Sequence, residues 1–205
     1  SEALMNKKND FASGNMIGFY LPKIKSNYKY TLVLDLDETL IYFQKDTNIL
    51  NNNNEIQKNL LIFRPGLLEF LENMQKIFEL VLFSFGTTEY VDNIIEKIEK
   101  KRKFFEYVLY RQHASYNNGD YVKDLSKLGR DMKKILIVDD IPQVFKLQKE
   151  NGICIKAFYG DLVSERNTLK ILGKLLERIR FEAEDYGDIR KSLDKYRSFI
   201  FTHIT

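Results

Sequence analysis

The sequence predicts an α/β fold, a parallel sheet with helices packed against it. Three observations carry that prediction. From Tyr30 onward, short apolar, β-branched runs alternate with stretches whose apolar residues recur at helical spacing. The run Thr31-Leu32-Val33-Leu34 ends in two carboxylates one residue apart, Asp35 and Asp37, and the run Ile135-Leu136-Ile137-Val138 ends in Asp139 and Asp140. In an open α/β sheet, ligands bind beyond the carboxyl ends of the strands, so polar groups delivered there by separate strands point to a common site.

The expected strands are Tyr30–Leu36, Glu79–Ser84, Phe105–Tyr110, Lys134–Val138 and Ile153–Ala157. Between them, a helix is expected from Pro65, suited to a first helical position, through Leu67, Leu68, Phe70, Leu71 and Met74 to Ile77. A second is expected from Thr88 as N-cap, with the stripe Tyr90, Val91, Ile94, Ile95 and Ile98. A third is expected after Pro142, and two more over Ser164–Phe181 and Tyr186–Phe201. The four asparagines Asn51–Asn54 mark a loop tip, and Leu60-Leu61-Ile62-Phe63 after them reads as one strand of a small hairpin or flap. Asn117-Asn118-Gly119-Asp120 is a turn signal between two short extended pieces. Residues 1–28 read as an amino-terminal extension and 29–201 as one domain, with 43–63 as its flap; no internal repeat is found.

Composition excludes several function classes. With 205 residues, 44% hydrophobic and 30% charged, the chain can bury a continuous core. The net charge of +3 (32 basic against 29 acidic residues) and the lack of a long basic tract argue against direct nucleic-acid binding. Lys100-Lys101-Arg102-Lys103 falls where a helix ends, a placement the helix dipole favours. No apolar run reaches the length of a membrane span, so a soluble protein is expected. The single cysteine, Cys154, precludes an intrachain disulfide and reads as a small buried hydrophobe in a strand. His113 and His203 lack partners at metal-ligand spacing and read as surface residues.

The carboxylates suggest the chemistry. Like charges crowded together resist joint ionisation, and a hard cation such as magnesium, which takes oxygen ligands, screens them. A carboxylate can attack phosphorus and divide a difficult hydrolysis into two easier steps, while a second carboxylate manages the protons. The transferring group needs a hydroxyl and positive charge around its oxygens, which Ser84 and Lys123 can supply.

Asp35-Leu36-Asp37-Glu38-Thr39-Leu40 resembles the first motif of the haloacid-dehalogenase-type phosphatases, and more narrowly of the small phosphatases that act on the carboxyl-terminal domain of RNA polymerase II. Further matches are Arg64-Pro65-Gly66, Leu68-Glu69-Phe70-Leu71, Val81-Leu82-Phe83-Ser84, the run from Tyr121 to Asp131, and Ile135 to Asp140. The resemblance implies a three-layer Rossmann-like fold with a small β-hairpin flap and no large cap. It implies a magnesium-dependent protein serine/threonine phosphatase working through an aspartyl-phosphate, with Asp35 as nucleophile, Asp37 as general acid/base and Lys123 neutralising charge. By the same resemblance Thr39, Ser84, Arg64, Tyr90 and Arg111 would take phosphate- or substrate-binding positions, and Asp35, Asp37, Asp140 and Asp139 would form the Mg2+ site, Asp37 contributing its main-chain carbonyl there. A phosphoserine or phosphothreonine protein is the implied partner and a monomer the implied state, in nucleus or cytoplasm.

Two departures from the family pattern stand out. The family usually carries Thr-Ala-Ser where this chain has Ser84-Phe85-Gly86. The segment before Arg64, where the family builds a hydrophobic pocket for a proline next to the phosphoserine, is short and asparagine-rich here, with Phe43, Ile49, Leu50, Leu61 and Phe63 as the candidates to line it. Arg64 can equally be read as a structural anchor of the flap. Rival readings are a small-metabolite phosphatase of the same superfamily, a catalytically silent binding module like the family's mitochondrial import relatives, and a receiver-type domain, against which the Asp-x-Asp-x-Thr spacing argues.

Overall fold

The computed structural model describes residues 18–44 and 60–205. Most of the 1–28 extension and the flap tip, including Ile49, Leu50 and Asn51–Asn54, lie outside the described residues. The five expected strands form one parallel sheet. At its centre β1 (Thr31–Leu34) lies between β4 (Glu79–Phe83) and β8 (Ile135–Asp139). β5 (Tyr107–Leu109) pairs with β4 at one edge and β9 (Gly152–Cys154) with β8 at the other. The flap is the antiparallel pair β2 (Ile41–Gln44) and β3 (Leu60–Phe63), and the asparagine-glycine turn closes a second hairpin, β6 (Ser115–Asn117) and β7 (Asp120–Val122). Asn118 and Gly119 both take positive φ, as a tight hairpin turn requires.

Strand residues alternate between two cores, as the period-2 pleat demands. Leu32, Leu34, Leu80, Leu82, Leu136 and Val138 face a cluster completed by the helices. These are α1 (Leu67–Gln75), α2 (Thr88–Ile98) and α3 (Thr168–Tyr186), then the short α4 (Ile189–Asp194) and α5 (Arg197–His203). Val33, Val81, Phe83, Ile135 and Ile137 face the other way, against Leu21, Leu125, Leu128, Val144 and Phe145. That layer is made of 3₁₀ turns and the strap ending at Leu21, whose Tyr20 N–H donates to the Lys127 carbonyl at 2.8 Å. β1, β4 and β8 are buried throughout, which is why they read as unbroken apolar runs.

Several boundaries differ from expectation for local reasons. Pro65 lies in the turn before α1, and Gly66, at φ +79°, is the N-cap. Thr87 rather than Thr88 caps α2, its hydroxyl accepting from Tyr90 N–H at 3.3 Å. After Pro142 the chain winds as 3₁₀ turns broken at Phe145 and Gln148, not as an α-helix. Residues 164–167 form turns ahead of α3 because the Asp161 carboxylate accepts from Val163 and Ser164 N–H, which holds the backbone out of the helix. α3 runs on to Tyr186, where Gly187 at φ +65° ends it and Asp188 caps α4. The helix expected over Tyr186–Phe201 is two, α4 and α5, parted at Lys195 and Tyr196, where Tyr196 leaves the helical region.

One close approach fixes the edge of the sheet. A β-carbon added to Gly152 would lie 2.2 Å from two ring carbons of buried Phe145. Gly152→Ala is expected to destabilise the fold by about 1–3 kcal/mol, read as a lower denaturation midpoint; an unchanged midpoint contradicts this packing.

Candidate active site

Sheet order builds the site. Because β1 lies between β4 and β8, the group just past β1 is flanked by the residue just past β4 and by the end of β8: Asp35 between Ser84 and the pair Asp139-Asp140. The ladder continues into the site, with Asp35 N–H donating to the Val138 carbonyl at 3.1 Å. Asp35, Asp139 and Asp140 each offer an oxygen, and these oxygens lie within 4.8 Å of one another. The expectation that Asp35 reaches Asp140 is met.

Lys123, the residue directly after β7, is fully buried among these carboxylates. Its ammonium donates to Asp35 Oδ1 at 2.7 Å and to Asp139 Oδ2 at 2.6 Å. The rings of Phe85 and Phe83 cover it, at 5.0 and 5.7 Å from Nζ to centroid. Burial pushes its pKa down, but Asp35 and Asp139 outweigh burial and hold it above the ordinary lysine value. Thr39 is equally buried; its hydroxyl lies 3.1 Å from Asp35 Oδ2 and 3.2 Å from Asp140 Oδ1 and bridges the two. Asp139 is further held by Ile141 N–H at 2.9 Å.

One cation does not balance three carboxylates. Burial, with Asp35 second, pushes the Asp139 carboxyl up to about 7 and that of Asp140 up to about 6. Burial and then Asp37 push Glu38 up to about 7. Hard oxygen donors from two strands, crowded and short of positive charge, are a donor set that fits a divalent cation.

The Asp37 carboxylate stands outside this group. The turn between β1 and β2, with Glu38 in the left-handed region at φ +59°, carries it to the start of α2, where the Tyr90 hydroxyl donates to Asp37 Oδ1. Burial raises the Asp37 pKa, against the lowering effect of that bond. Burial raises the Tyr90 hydroxyl as well, and it stays protonated. Tyr90 also meets Phe43 of the flap edge to face, centroids 5.6 Å apart.

The remaining predicted residues divide. Ser84 is buried at the end of β4, its Oγ accepting from Gly86 N–H at 3.0 Å. Gly86 is needed there, since an added β-carbon would lie 2.8 Å from Tyr90 and Val91. Arg111 lies on the exposed rim, its Nε donating to the Phe85 carbonyl at 2.9 Å. Arg64 does not face the site: it is wholly buried and paired with Glu165, so the anchoring reading holds and the substrate-binding one is corrected. His113 is corrected too. It is half-buried, Nδ1 accepting from Tyr110 N–H at 2.9 Å, and its ring meets Tyr20. Cys154 is half-buried rather than buried, and burial raises its thiol, as suits an unreactive side chain. Sequence reasoning missed Glu38 as a fifth carboxylate beside Asp37, Phe85 over Lys123, and Glu165.

The family of NLI interacting factor-like phosphatases matches residues 30–188. The chain belongs to that family. It is 38% identical over 151 residues to CTD small phosphatase-like protein 2 of Dictyostelium discoideum, covering 68% of this chain and 26% of that protein. It is 32% identical over 169 residues to the mitochondrial import inner membrane translocase subunit TIM50 of Candida glabrata, covering 82% of this chain and 32% of that one. The chain spans less than two thirds of the length of the curated relatives it matches. Among solved structures, the RNA polymerase II CTD phosphatase Fcp1 shares the fold, with a TM-score of 0.53 at 19% identity, over 96% of this chain and 56% of that one. Among the described residues no helix is long and apolar enough to cross a membrane.

The raised carboxyls set a pH dependence. A carboxyl group whose pKa is higher folded than unfolded contributes stability that is complete below its ordinary pKa and is lost as pH rises through the folded value. Without a cation, Asp139, Asp140 and Glu38 are therefore expected to lower the melting temperature between about pH 5 and pH 8. Added magnesium should raise it more at pH 8 than at pH 5. An equal gain at both contradicts a cation bound among these groups.

Proposed function

We propose that the chain is a magnesium-dependent protein serine/threonine phosphatase working through an aspartyl-phosphate on Asp35. The observation that carries this reading is the placement of Asp35 between Lys123 and the Asp140 side of the cluster, each carboxylate oxygen held by its own donor. In the proposed reaction an Asp35 oxygen attacks phosphorus and the bond to the serine or threonine oxygen breaks. Asp37 gives that oxygen its proton. The deprotonated Asp37 then takes a proton from water, whose oxygen attacks phosphorus, releasing phosphate and restoring the Asp35 carboxylate.

Asp35, Asp140 and Asp139 would hold the cation, with Asp37 contributing through its main chain because its carboxylate is engaged by Tyr90. When bound, the cation supplies positive charge to the transferring phosphoryl oxygens. Lys123 adds to that charge, and the Ser84 hydroxyl and Gly86 N–H would receive phosphate oxygens. The Tyr90 hydroxyl orients Asp37 for proton transfer. The substrate reading, a phosphoserine or phosphothreonine segment like that of the polymerase carboxyl-terminal domain, rests on relatives named for that activity and on the small flap in place of a large cap. A nuclear or cytoplasmic setting and a monomeric state belong to the same proposal.

The similarity to TIM50 favours a second reading, a binding module without turnover. One experiment separates the two. With magnesium, the parent protein should hydrolyse an aryl phosphate and phosphoserine peptides, and Asp35→Asn should lower kcat at least about a thousandfold while leaving the melting temperature near the parent's. Parent and variant equally inactive would favour the binding module; equal turnover by both would overturn the nucleophile.

A further inference from the structure

We propose that the buried ion pair of Arg64 and Glu165 is a positioning device for the nucleophile turn, which makes Glu165, 101 residues from Arg64 in sequence, a positioning residue for the reaction. The inference rests on the phosphatase reading and adds to it a residue outside the site.

Arg64 directly follows β3 and is wholly buried. Its guanidinium makes bonds in three directions. Nη1 donates to the Thr39 carbonyl at 3.1 Å, and Nη2 donates to the Lys156 carbonyl at 2.8 Å. Nε and Nη2 both donate to Glu165 Oε2, at 3.1 and 2.5 Å. Phe158 covers the group at 5.6 Å, and the Phe158 N–H donates to the Glu38 carbonyl at 2.7 Å. The loop between β9 and α3 is thereby tied to residues 38 and 39 at two points, and Arg64 is the larger tie.

What Thr39 does makes this consequential. Its hydroxyl bridges Asp35 and Asp140, the nucleophile and a proposed cation ligand from different strands. Its carbonyl is the group that Arg64 grips. Holding the carbonyl fixes the backbone from which the Thr39 side chain projects, and so where its hydroxyl can sit between the two carboxylates. A fully buried ion pair adds little to stability, since desolvation offsets much of the attraction and apolar replacements often fold as well. Geometric specification is the use that accounts for a planar guanidinium with every bond directed. Displacements of about 1 Å in a reacting group can cost about a hundredfold in rate.

The test is a double-mutant cycle in the full chain with Glu165→Gln and Thr39→Val, reading kcat and KM for an aryl phosphate and, separately, magnesium affinity by calorimetry. The expected result is a kcat lower by about 10- to 100-fold for Glu165→Gln with KM within about twofold, weaker magnesium binding, and a double variant no slower than Thr39→Val alone. An unchanged kcat and magnesium affinity in folded Glu165→Gln, or kcat losses that multiply in the double variant, would overturn the proposal. Should Glu165→Gln fail to fold, Arg64→Met with Glu165→Leu replaces the pair by apolar side chains of similar size; parental kcat and magnesium affinity in that variant would equally overturn it. If the parent lacks turnover the phosphatase reading fails by itself, and the magnesium affinities decide the positioning role alone.

Discussion

The structure depends on how a cluster of buried and half-buried carboxylates is kept together. Asp35, Asp139 and Asp140 meet because parallel strands deliver them to one edge, and the cost of gathering them is met only in part by Lys123. That ammonium is itself enclosed, with two aromatic rings on one side and two carboxylates on the other. Removing the ammonium would leave the carboxylates buried and unpaired, a much larger penalty than the net contribution of a pair, whereas neutralising Asp35 leaves Lys123 paired with Asp139. The remaining charge deficit is expressed in carboxyls pushed toward neutrality and in a donor set suited to a hard cation.

The surrounding elements hold this cluster in place. β1 occupies the middle of the sheet, so neighbours on both sides fix the backbone that carries Asp35. One outer layer is helical and deep; the other is assembled from turns and from the strap at Leu21, and includes the turn Leu125–Lys127 just beyond Lys123. The flap adds a second function. Its Phe43 lies against Tyr90, which holds Asp37, so the element beside the mouth is mechanically continuous with the residue that would handle protons.

Much of this was legible in sequence. The five strands are recognisable because strands buried on both faces are nearly continuous apolar runs, and Asp35, Asp37, Ser84, Asp139 and Asp140 because they fall at or just past strand ends. What was not legible depends on backbone conformation or on distant partners. Thr87 and Thr88 are equally good caps by composition, and only the turn decides between them. Gly187 falls inside the helix expected over Tyr186–Phe201, and its left-handed φ, which ends α3, is a backbone feature that composition does not show. Glu38 lies inside the most telling motif, but nothing local shows that its backbone is left-handed or that it crowds Asp37. Arg64 matched a motif position and was open to two readings; Glu165, which settles its geometry, carries no local signal at all.

The central claim is that Asp35 forms a bond to phosphorus, and it can be observed directly. The protein is mixed with a radiolabelled phosphoserine peptide and magnesium, quenched in acid within milliseconds, reduced with borohydride and mapped by peptide mass. The account predicts a transient acyl-phosphate on the protein whose reduction marks Asp35 and no other residue. Turnover of the peptide with no labelled protein at any quench time, or a mark at a different residue, would contradict it.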